Sequence, residues 1–309
     1  MLFLIRILKR TIMEKINRRR FIQTSAAGLT GYAALASTGF ANLSFAPTTA
    51  IVDKVKLGNS GLLVSRVALG TGSIGGNHES NQTRLGKVKF VNMARHAYDR
   101  GVHFFDTADS YGSLPFVREV FKEVPREKVT LLTKMWTEND PAKAEPVDMA
   151  LDRFRTEAGT DYFDILLLHC MLNGKWKEEK KIYIDYFSKA KQDGIIKAVG
   201  VSCHNFEALK VAAEDPWVDI ILARINPFQA HMDGTPADVN AVLELARKNG
   251  KGIIGMKIFG NGDRVLESER EESITFALKK SSIHCMTLGL ESITQVDDAI
   301  DRVMRIAKS

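Results

Sequence analysis

Apolar, β-branched runs recur along the chain from Val52 onward, and an amphipathic stretch follows each of them. These runs predict strands at 66–70, 102–105, 129–133, 164–168, 197–201, 219–223, 252–256 and 284–288. The amphipathic stretches predict helices near 88–100, 115–123, 145–158, 180–193, 205–214, 236–249, 268–281 and 294–307. In the helix at 236–249, for instance, Val239, Val242 and Ala246 fall on one face.

Eight strand–helix units in succession indicate a single (β/α)₈ barrel over residues 47–309, because this fold typically needs about 250 residues. The predicted strands are continuously apolar rather than alternating, which is typical of strands that helices cover on both faces. A turn at 59–61 predicts an N-terminal β-hairpin that caps the bottom of the barrel. The alternative is a doubly wound sheet, but no Gly-x-Gly-x-x-Gly turn follows the first strand.

The first residues of the chain have a different character. An arginine pair at 18–19 precedes two apolar residues at 21–22, and an uncharged stretch rich in Ala, Gly, Ser and Thr follows over 24–46. This pattern resembles a twin-arginine export signal. We therefore expect residues 1–46 to be such a signal, recognised by the twin-arginine export machinery.

Small residues before Ala46 and before Ala41 suit cleavage after either position, and Met13 is an alternative start of the chain. The expected product is an exported, periplasmic protein with no stable membrane insertion after cleavage. A retained anchor formed by the uncleaved signal is the alternative, since the stretch over 24–46 is long enough to span a bilayer. Its glycine, serine and threonine content makes it only weakly apolar.

The net charge of the chain is carried by that same segment. Residues 1–46 contain seven basic side chains and one acidic one, which accounts for the whole net charge of +6. The remainder of the chain is neutral, so the composition argues against a nucleic-acid-binding surface. The three cysteines, Cys170, Cys203 and Cys285, are too few and too scattered for a disulfide framework.

Titratable residues stand where several predicted strands end. Asp106 and Tyr111 follow the second strand, Lys134 the third and His169 the fourth. Because the active site of a (β/α)₈ barrel lies at the carboxyl ends of its strands, we expect these side chains to meet at the barrel mouth.

Together these four side chains suit proton transfer to a carbonyl oxygen. A tyrosine with a pKa of about 10 is a poor acid at neutral pH, and a buried ammonium at Lys134 is predicted to lower the pKa of Tyr111. Asp106 would balance the charge of Lys134, and His169 would donate a hydrogen bond to the carbonyl. The set contains no redox group, so the hydride must come from a nicotinamide cofactor.

The motif Asp-Thr-Ala-x-x-Tyr-Gly stands intact at 106–112, and from about residue 54 to 307 the chain resembles the aldo-keto reductases. The resemblance implies a (β/α)₈ barrel that reduces aldehydes and ketones, or oxidises alcohols, with NADP or NAD. It also implies that Tyr111 is the general acid/base, that Lys134 and Asp106 tune it, and that His169 orients a small-molecule carbonyl or alcohol substrate.

The resemblance further implies a set of cofactor-binding residues: Gly70, Thr71, Ser202, Asn226, Met256, Lys257, Gly289 and Ser292. The chain departs from the family's pattern in this region. Gly72 stands where an aromatic residue is frequent, and Cys203 replaces an asparagine. Gly289 and Gln295 stand where NADP-preferring members tend to have lysine and arginine, so the choice between NADP and NAD stays open.

Two other functions deserve comparison. A zinc enzyme would have to use Cys170, Cys203, His204 or His231, but their spacing fits no metal motif and strand neighbours point to opposite sides, so no metal site is expected. A cofactor-binding sensor with little turnover is the second alternative. Four residues are candidates for the substrate pocket: Trp136, Met171, His231 and Met232. An exported reductase is expected to retain its dinucleotide, and a purified protein free of nucleotide would contradict that.

Overall fold

The computed structural model describes residues 50–138 and 145–309. The predicted export signal at 1–46, with its arginine pair and its cleavage sites, lies outside these residues. Among the residues described, no helix is both long and apolar enough to cross a membrane.

Eight parallel strands close into a barrel, because the last strand pairs with the first. A short antiparallel hairpin, β1 (Lys54–Lys56) and β2 (Leu63–Ser65), precedes them. The barrel strands are β3 (Val67–Gly70), β4 (Phe104–Asp106), β5 (Thr130–Trp136), β6 (Phe163–Met171), β7 (Ile196–Cys203), β8 (Ile220–Arg224), β9 (Gly252–Met256) and β10 (Cys285–Gly289). The (β/α)₈ prediction is confirmed, and the doubly wound alternative is wrong.

Helices alternate with the barrel strands. Those in the described residues are α1 (Asn81–Arg84), α2 (Lys87–Asp99), α3 (Leu114–Val120), α4 (Val147–Ala158), α5 (Trp176–Glu179), α6 (Lys181–Gln192), α7 (Phe206–Glu214), α8 (Pro236–Lys248), α9 (Glu267–Lys279) and α10 (Ile293–Lys308). Helix α8 illustrates the local causes: Thr235 caps its first turn by accepting a hydrogen bond from the Asp238 N–H at 3.1 Å. Its face at Val239, Leu243 and Ala246 is buried.

The hairpin closes the amino-terminal end of the barrel, as predicted. Leu57 and Val64 are buried in the same apolar cluster as the inward-facing barrel residues. The backbone N–H of Asn59 donates to Gly250 O at 2.8 Å, just before β9 begins. With one end filled by apolar side chains, the opposite end, at the carboxyl ends of the strands, is left for ligands.

Two strands end three residues later than the sequence predicts. Strand β5 continues through Lys134 to Trp136, and β6 continues through His169 to Met171, with Trp136 paired to His169. The apolar run stops earlier, but backbone pairing does not depend on side-chain polarity. The register of β6 shifts between Leu168 and Met171, which marks a bulge of the kind that turns side chains toward active sites.

Candidate active site

Lys134 is the centre of the site. Its side chain is buried and its ammonium is paired with Asp106. The same nitrogen donates to Thr107 O at 2.9 Å and approaches the Tyr111 hydroxyl at 3.5 Å. The three N–H bonds of the ammonium therefore face three oxygens, which compensates the cost of burying the charge.

The carboxylate of Asp106 is held on both oxygens. One oxygen accepts from Lys134, and the other accepts from the Thr287 hydroxyl at 2.8 Å. Thr287 lies on β10, at the far end of the chain, and the sequence analysis missed it. The backbone carbonyl of Asp106 accepts from the Thr71 hydroxyl at 2.9 Å, and the oxygen of that hydroxyl lies 2.8 Å from the Ser113 hydroxyl, from which it accepts.

The ring of Tyr111 packs against two glycines, Gly72 and Gly75. Tyr111 ends a short 3₁₀ turn after β4, and Gly112 follows in the left-handed region with φ 62°. A Cβ at Gly72 would lie 2.2 Å from the tyrosine ring, and one at Gly75 would lie 2.7 Å from it. The ring thus occupies the space that a side chain at 72 would need, so this arrangement requires glycine there.

The pKa of Tyr111 corrects one prediction. Burial raises the pKa of this phenol above its usual 10.0, and the nearby charge of Lys134 only partly opposes that rise. Lys134 does lower the pKa of Tyr111, as the sequence predicts, but the cost of desolvation is larger, so the net pKa is raised rather than lowered. Burial alone would lower the pKa of Lys134, but Asp106 and Tyr111 offset this and raise it. Tyr111 is therefore protonated and Lys134 charged at neutral pH.

His169 lies edge-on to the Tyr111 ring, with the ring centroids 5.6 Å apart. Burial, followed by the charge of Lys134, holds the pKa of His169 well below its usual 6.5, so the imidazole is neutral. Its Nδ1 is buried and has no hydrogen-bond partner in the described residues. Since unpaired buried N–H groups are rarer than unpaired acceptors, we assign the proton to Nε2.

Two cavities meet at Tyr111. The first has a volume of about 490 Å³ and extends from Tyr111 and Lys134 to the amino-terminal end of α10. The second, of about 940 Å³, is lined by His169 and Trp136 among others. Lys257 lines both cavities. Tyr111 thus belongs to the walls of both cavities.

Comparison with known proteins identifies the family. The sequence model of the aldo/keto reductase family matches residues 66–308. The chain belongs to this family.

Individual relatives are distant. The chain is 25% identical to the NADH-specific methylglyoxal reductase of Escherichia coli over 64% of each chain. It is also 25% identical to the aldo-keto reductase dtxS3 of Metarhizium robertsii, over 83% of this chain and 76% of that one. A putative aryl-alcohol dehydrogenase of Saccharomyces cerevisiae is 33% identical, but the match covers 33% of this chain and 29% of the yeast protein. The chain thus spans less than two thirds of the yeast and bacterial relatives.

Solved structures share the fold. The holo form of an aldo-keto reductase from Bacillus halodurans superposes with a TM-score of 0.65 at 18% identity, covering 82% of this chain and 91% of that one. A Klebsiella pneumoniae aldo/keto reductase in complex with NADP and acetate gives a TM-score of 0.64 at 16% identity, covering 82% and 90%.

Half of the cofactor residues predicted for this aldo/keto reductase line the first cavity. They are Gly70, Met256, Lys257 and Gly289. Lys257 has a left-handed backbone with φ 58° and its ammonium donates to Asn261 Oδ1 at 2.6 Å. Burial, with the charges of Arg224 and Lys134, lowers the pKa of Lys257.

The other four line neither cavity, and the contacts of their side chains are structural: Thr71, Ser202, Asn226 and Ser292. Thr71 is bonded to Asp106 as described. Asn226 uses its whole amide on the loop that follows, donating to Ala230 O at 2.8 Å and Lys257 O at 3.0 Å and accepting from two backbone N–H groups. Ser292 caps α10 by accepting from the Gln295 N–H at 3.2 Å. The buried Ser202 has its hydroxyl 3.4 Å from His204 Nδ1.

Of the four substrate-pocket candidates, one lines the second cavity and three do not. Trp136 lines the second cavity and is 48% exposed. The remaining three are outside its wall: Met171 is buried in the core, the Met232 sulfur accepts from the Asn226 N–H, and His231 pairs with Asp263 at 2.8 Å.

The cysteines do not follow the expected alternation. Cys170 lines the second cavity together with its neighbour His169, because the bulge places Cys170 in the left-handed region with φ 68°. Cys203 is fully buried, and burial raises the pKa of its thiol above its usual 9.0. In the described part of the chain, no three His, Cys, Asp or Glu side chains lie close enough together to hold a metal ion.

Proposed function

We propose that this protein is a nicotinamide-dependent oxidoreductase that interconverts a carbonyl compound and its alcohol. The observation that carries the proposal is the position of Tyr111, which lines both cavities and has its hydroxyl 3.5 Å from a buried ammonium. A proton donor on the walls of two cavities serves a reaction between two bound molecules. The family match and the relatives named as reductases and dehydrogenases support this reading.

The first cavity fits a dinucleotide. It reaches from Tyr111 to the amino-terminal end of α10 and is bordered by glycines, which let the backbone approach a ligand closely. Gly70, Met256, Lys257 and Gly289 would hold the dinucleotide there, and a Cβ at Gly289 would lie only 2.0 Å from Ser73 Oγ. When bound, the dinucleotide supplies or accepts the hydride.

Tyr111 donates the proton in the direction of reduction. Its raised pKa keeps the hydroxyl protonated until a carbonyl oxygen of rising basicity comes within hydrogen-bond distance. As the proton leaves, the charge that develops on Tyr111 is stabilised by Lys134 at 3.5 Å. Asp106 keeps that ammonium in place and balances its charge in the resting protein.

His169 orients the substrate. As a neutral imidazole with its proton on Nε2, it donates a hydrogen bond to the carbonyl oxygen without competing with Tyr111 for the transferred proton. Trp136, half-exposed and edge-on to His169 at 5.5 Å, forms an apolar wall beside that position. Together they hold the carbonyl carbon toward the first cavity.

We further propose that NADH is preferred to NADPH. Arg270, a cation on the wall of the first cavity, is already paired with Glu267 at 2.5 Å and Asp298 at 3.3 Å. Glu291, on the same wall, places a carboxylate there and accepts from Asn81 at 2.7 Å. A 2′-phosphate needs free cations to bind. Near Glu291 this wall offers carboxylates and a paired arginine, and Lys257 lies instead where the two cavities meet.

Steady-state kinetics with a panel of aldehydes, ketones and alcohols tests both proposals. We expect nucleotide-dependent turnover, with kcat/KM for NADH higher than for NADPH by about tenfold or more. The Glu291→Gln variant should narrow that gap by removing one repulsive charge. A higher kcat/KM with NADPH would contradict the cofactor preference alone. Nucleotide binding without turnover on any substrate would contradict the reductase and favour a cofactor-binding sensor.

A further inference from the structure

The loop at 72–79, between β3 and α1, contains three residues other than glycine with a left-handed backbone. They are Ile74 with φ 48°, Asn77 with φ 51° and His78 with φ 60°. Left-handed residues other than glycine are uncommon, and for a β-branched side chain the conformation is an outlier.

Asn77 and His78 have a local explanation. Gly76 and Glu79 exchange two backbone hydrogen bonds, of 2.9 and 3.1 Å, and so close a two-residue hairpin. Both central positions of such a hairpin require positive φ, and asparagine and histidine tolerate it. These two residues therefore suit their turn.

Ile74 does not suit its turn. The Gly75 N–H donates to Gly72 O at 3.1 Å, so Ile74 occupies the third position of a four-residue turn. With positive φ, that position favours glycine or asparagine. An isoleucine there is strained, and such strain persists only where the surroundings fix the backbone.

The surroundings do fix it, from both sides. Gln82, which is fully buried, accepts from the Ser73 N–H at 2.9 Å and donates to Ser73 Oγ at 2.8 Å. On the other side the His78 N–H donates to Ser110 O at 2.9 Å, and the Tyr111 ring rests on the loop's glycines. Hydrogen bonds to Gln82 and Ser110 thus fix the backbone of the loop on both sides of Ile74.

The side chain of Ile74 makes little apolar contact with the rest of the protein, because the residue is 69% exposed. It lines both the first and the second cavity, beside Tyr111. A strained backbone that presents an exposed apolar side chain to two binding spaces is accounted for if ligands cover that side chain.

We propose that Ile74 is a binding residue shared by the two ligands, packing against the dinucleotide on one side and against the carbonyl substrate on the other. The strained turn positions the side chain before either ligand arrives. This inference rests on the proposed function, since it presumes a dinucleotide in the first cavity and a carbonyl compound in the second.

The experiment compares Ile74→Gly with Gln229→Gly. Gln229 is also exposed and left-handed, with φ 56°, but it lines neither cavity. Ile74→Gly frees the unfolded chain at least as much as Gln229→Gly, because a β-branched residue is the stiffer of the two, so a higher Tm for Ile74→Gly would report the greater strain at position 74. The readouts are the Tm of the ligand-free protein, the Kd for NADH by fluorescence and the KM for the carbonyl substrate.

We expect Ile74→Gly to melt at a higher temperature than Gln229→Gly, because the β-branched residue is the more strained. At the same time its Kd for NADH and its KM should both rise by about fivefold or more, as apolar contact is lost. Ile74→Ala, which removes most of the side chain and keeps the left-handed backbone strained, should weaken both ligands without the gain in Tm. Gln229→Gly should bind both ligands as the unchanged protein does.

Two results would overturn the inference and are distinguishable from each other. The inference alone fails if the unchanged protein binds NADH and Ile74→Gly binds both ligands as tightly as the unchanged protein does. It also fails if Ile74→Gly melts at a lower temperature than Gln229→Gly. If the unchanged protein binds no dinucleotide, the proposed function fails and the inference fails with it.

Discussion

At the scale of single residues, Thr287 is the least expected member of the site. Its hydroxyl donates to the Asp106 oxygen that Lys134 does not use, at 2.8 Å. Asp106 already raises the pKa of Tyr111. With Thr287 on one oxygen and Lys134 on the other, the charge of the Asp106 carboxylate is shared between two hydrogen bonds, which limits how far Asp106 raises the pKa of Tyr111. Thr287 therefore acts on Tyr111 through Asp106, as a positioning residue.

Replacing Thr287 with valine should raise the pKa of Tyr111 further and weaken it as an acid. We expect the alkaline limb of kcat/KM for carbonyl reduction to move to higher pH, and its plateau to fall by about threefold or more. The pH–rate profile is the measurement. Thr133→Val is the matched control, because the buried Thr133 hydroxyl has no hydrogen-bond partner in the described residues. An unshifted limb would contradict the role of Thr287.

The same profile also tests His169. Since burial and Lys134 hold the pKa of His169 well below 6.5, reduction by the unchanged protein should show no limb near that pH. A limb near pH 6.5 that disappears in a His169→Gln variant would mean that the imidazole titrates in the working range and is charged below it.

At the scale of elements, the loop after β3 and the turn after β4 form one unit. Gly72→Ala places a methyl group 2.2 Å from the Tyr111 ring, so the ring must move. We expect kcat/KM to fall by about tenfold or more, because a small misplacement of the acid is costly. Gly174→Ala is the control, since its Cβ would lie 3.4 Å from the nearest atom, in ordinary contact. Full activity of Gly72→Ala would contradict this packing.

The sequence predicted these elements well where the signal is local. Lys134 and His169 interrupt apolar runs and were found for that reason, although both lie within strands. The predicted helix at 180–193 is α6, with the short α5 before it and a break at Lys180, where the backbone leaves the helical region with ψ 19°. No apolar pattern encodes such a break.

Contacts between residues that are far apart in the chain could not be predicted from one sequence. Thr287 meets Asp106 across 181 residues of chain, and nothing near Thr287 in the sequence indicates this. The strain at Ile74 depends likewise on Gln82 and Tyr111 and is visible only in three dimensions. The family resemblance found glycines that border the first cavity. It did not distinguish them from Asn226 and Ser292, whose side chains are used for loop and helix structure.

At the scale of the whole molecule, the barrel places Tyr111 on the walls of two cavities. The hairpin fills the amino-terminal end with apolar side chains, and the strand ends carry the polar ones. The family match extends over the same residues, 66–308. The central claim is therefore that Tyr111 delivers the proton while the surrounding structure serves to bind and orient both reactants.

The Tyr111→Phe variant tests that claim most directly, because phenylalanine keeps the ring on Gly72 and Gly75 and removes only the hydroxyl. We predict that its Tm and its Kd for NADH stay close to those of the unchanged protein, while kcat for carbonyl reduction falls by about a hundredfold or more. The measurement is the single-turnover rate of carbonyl reduction with saturating NADH, compared between the variant and the unchanged protein. A variant that still reduces the carbonyl at near the original rate would contradict the account.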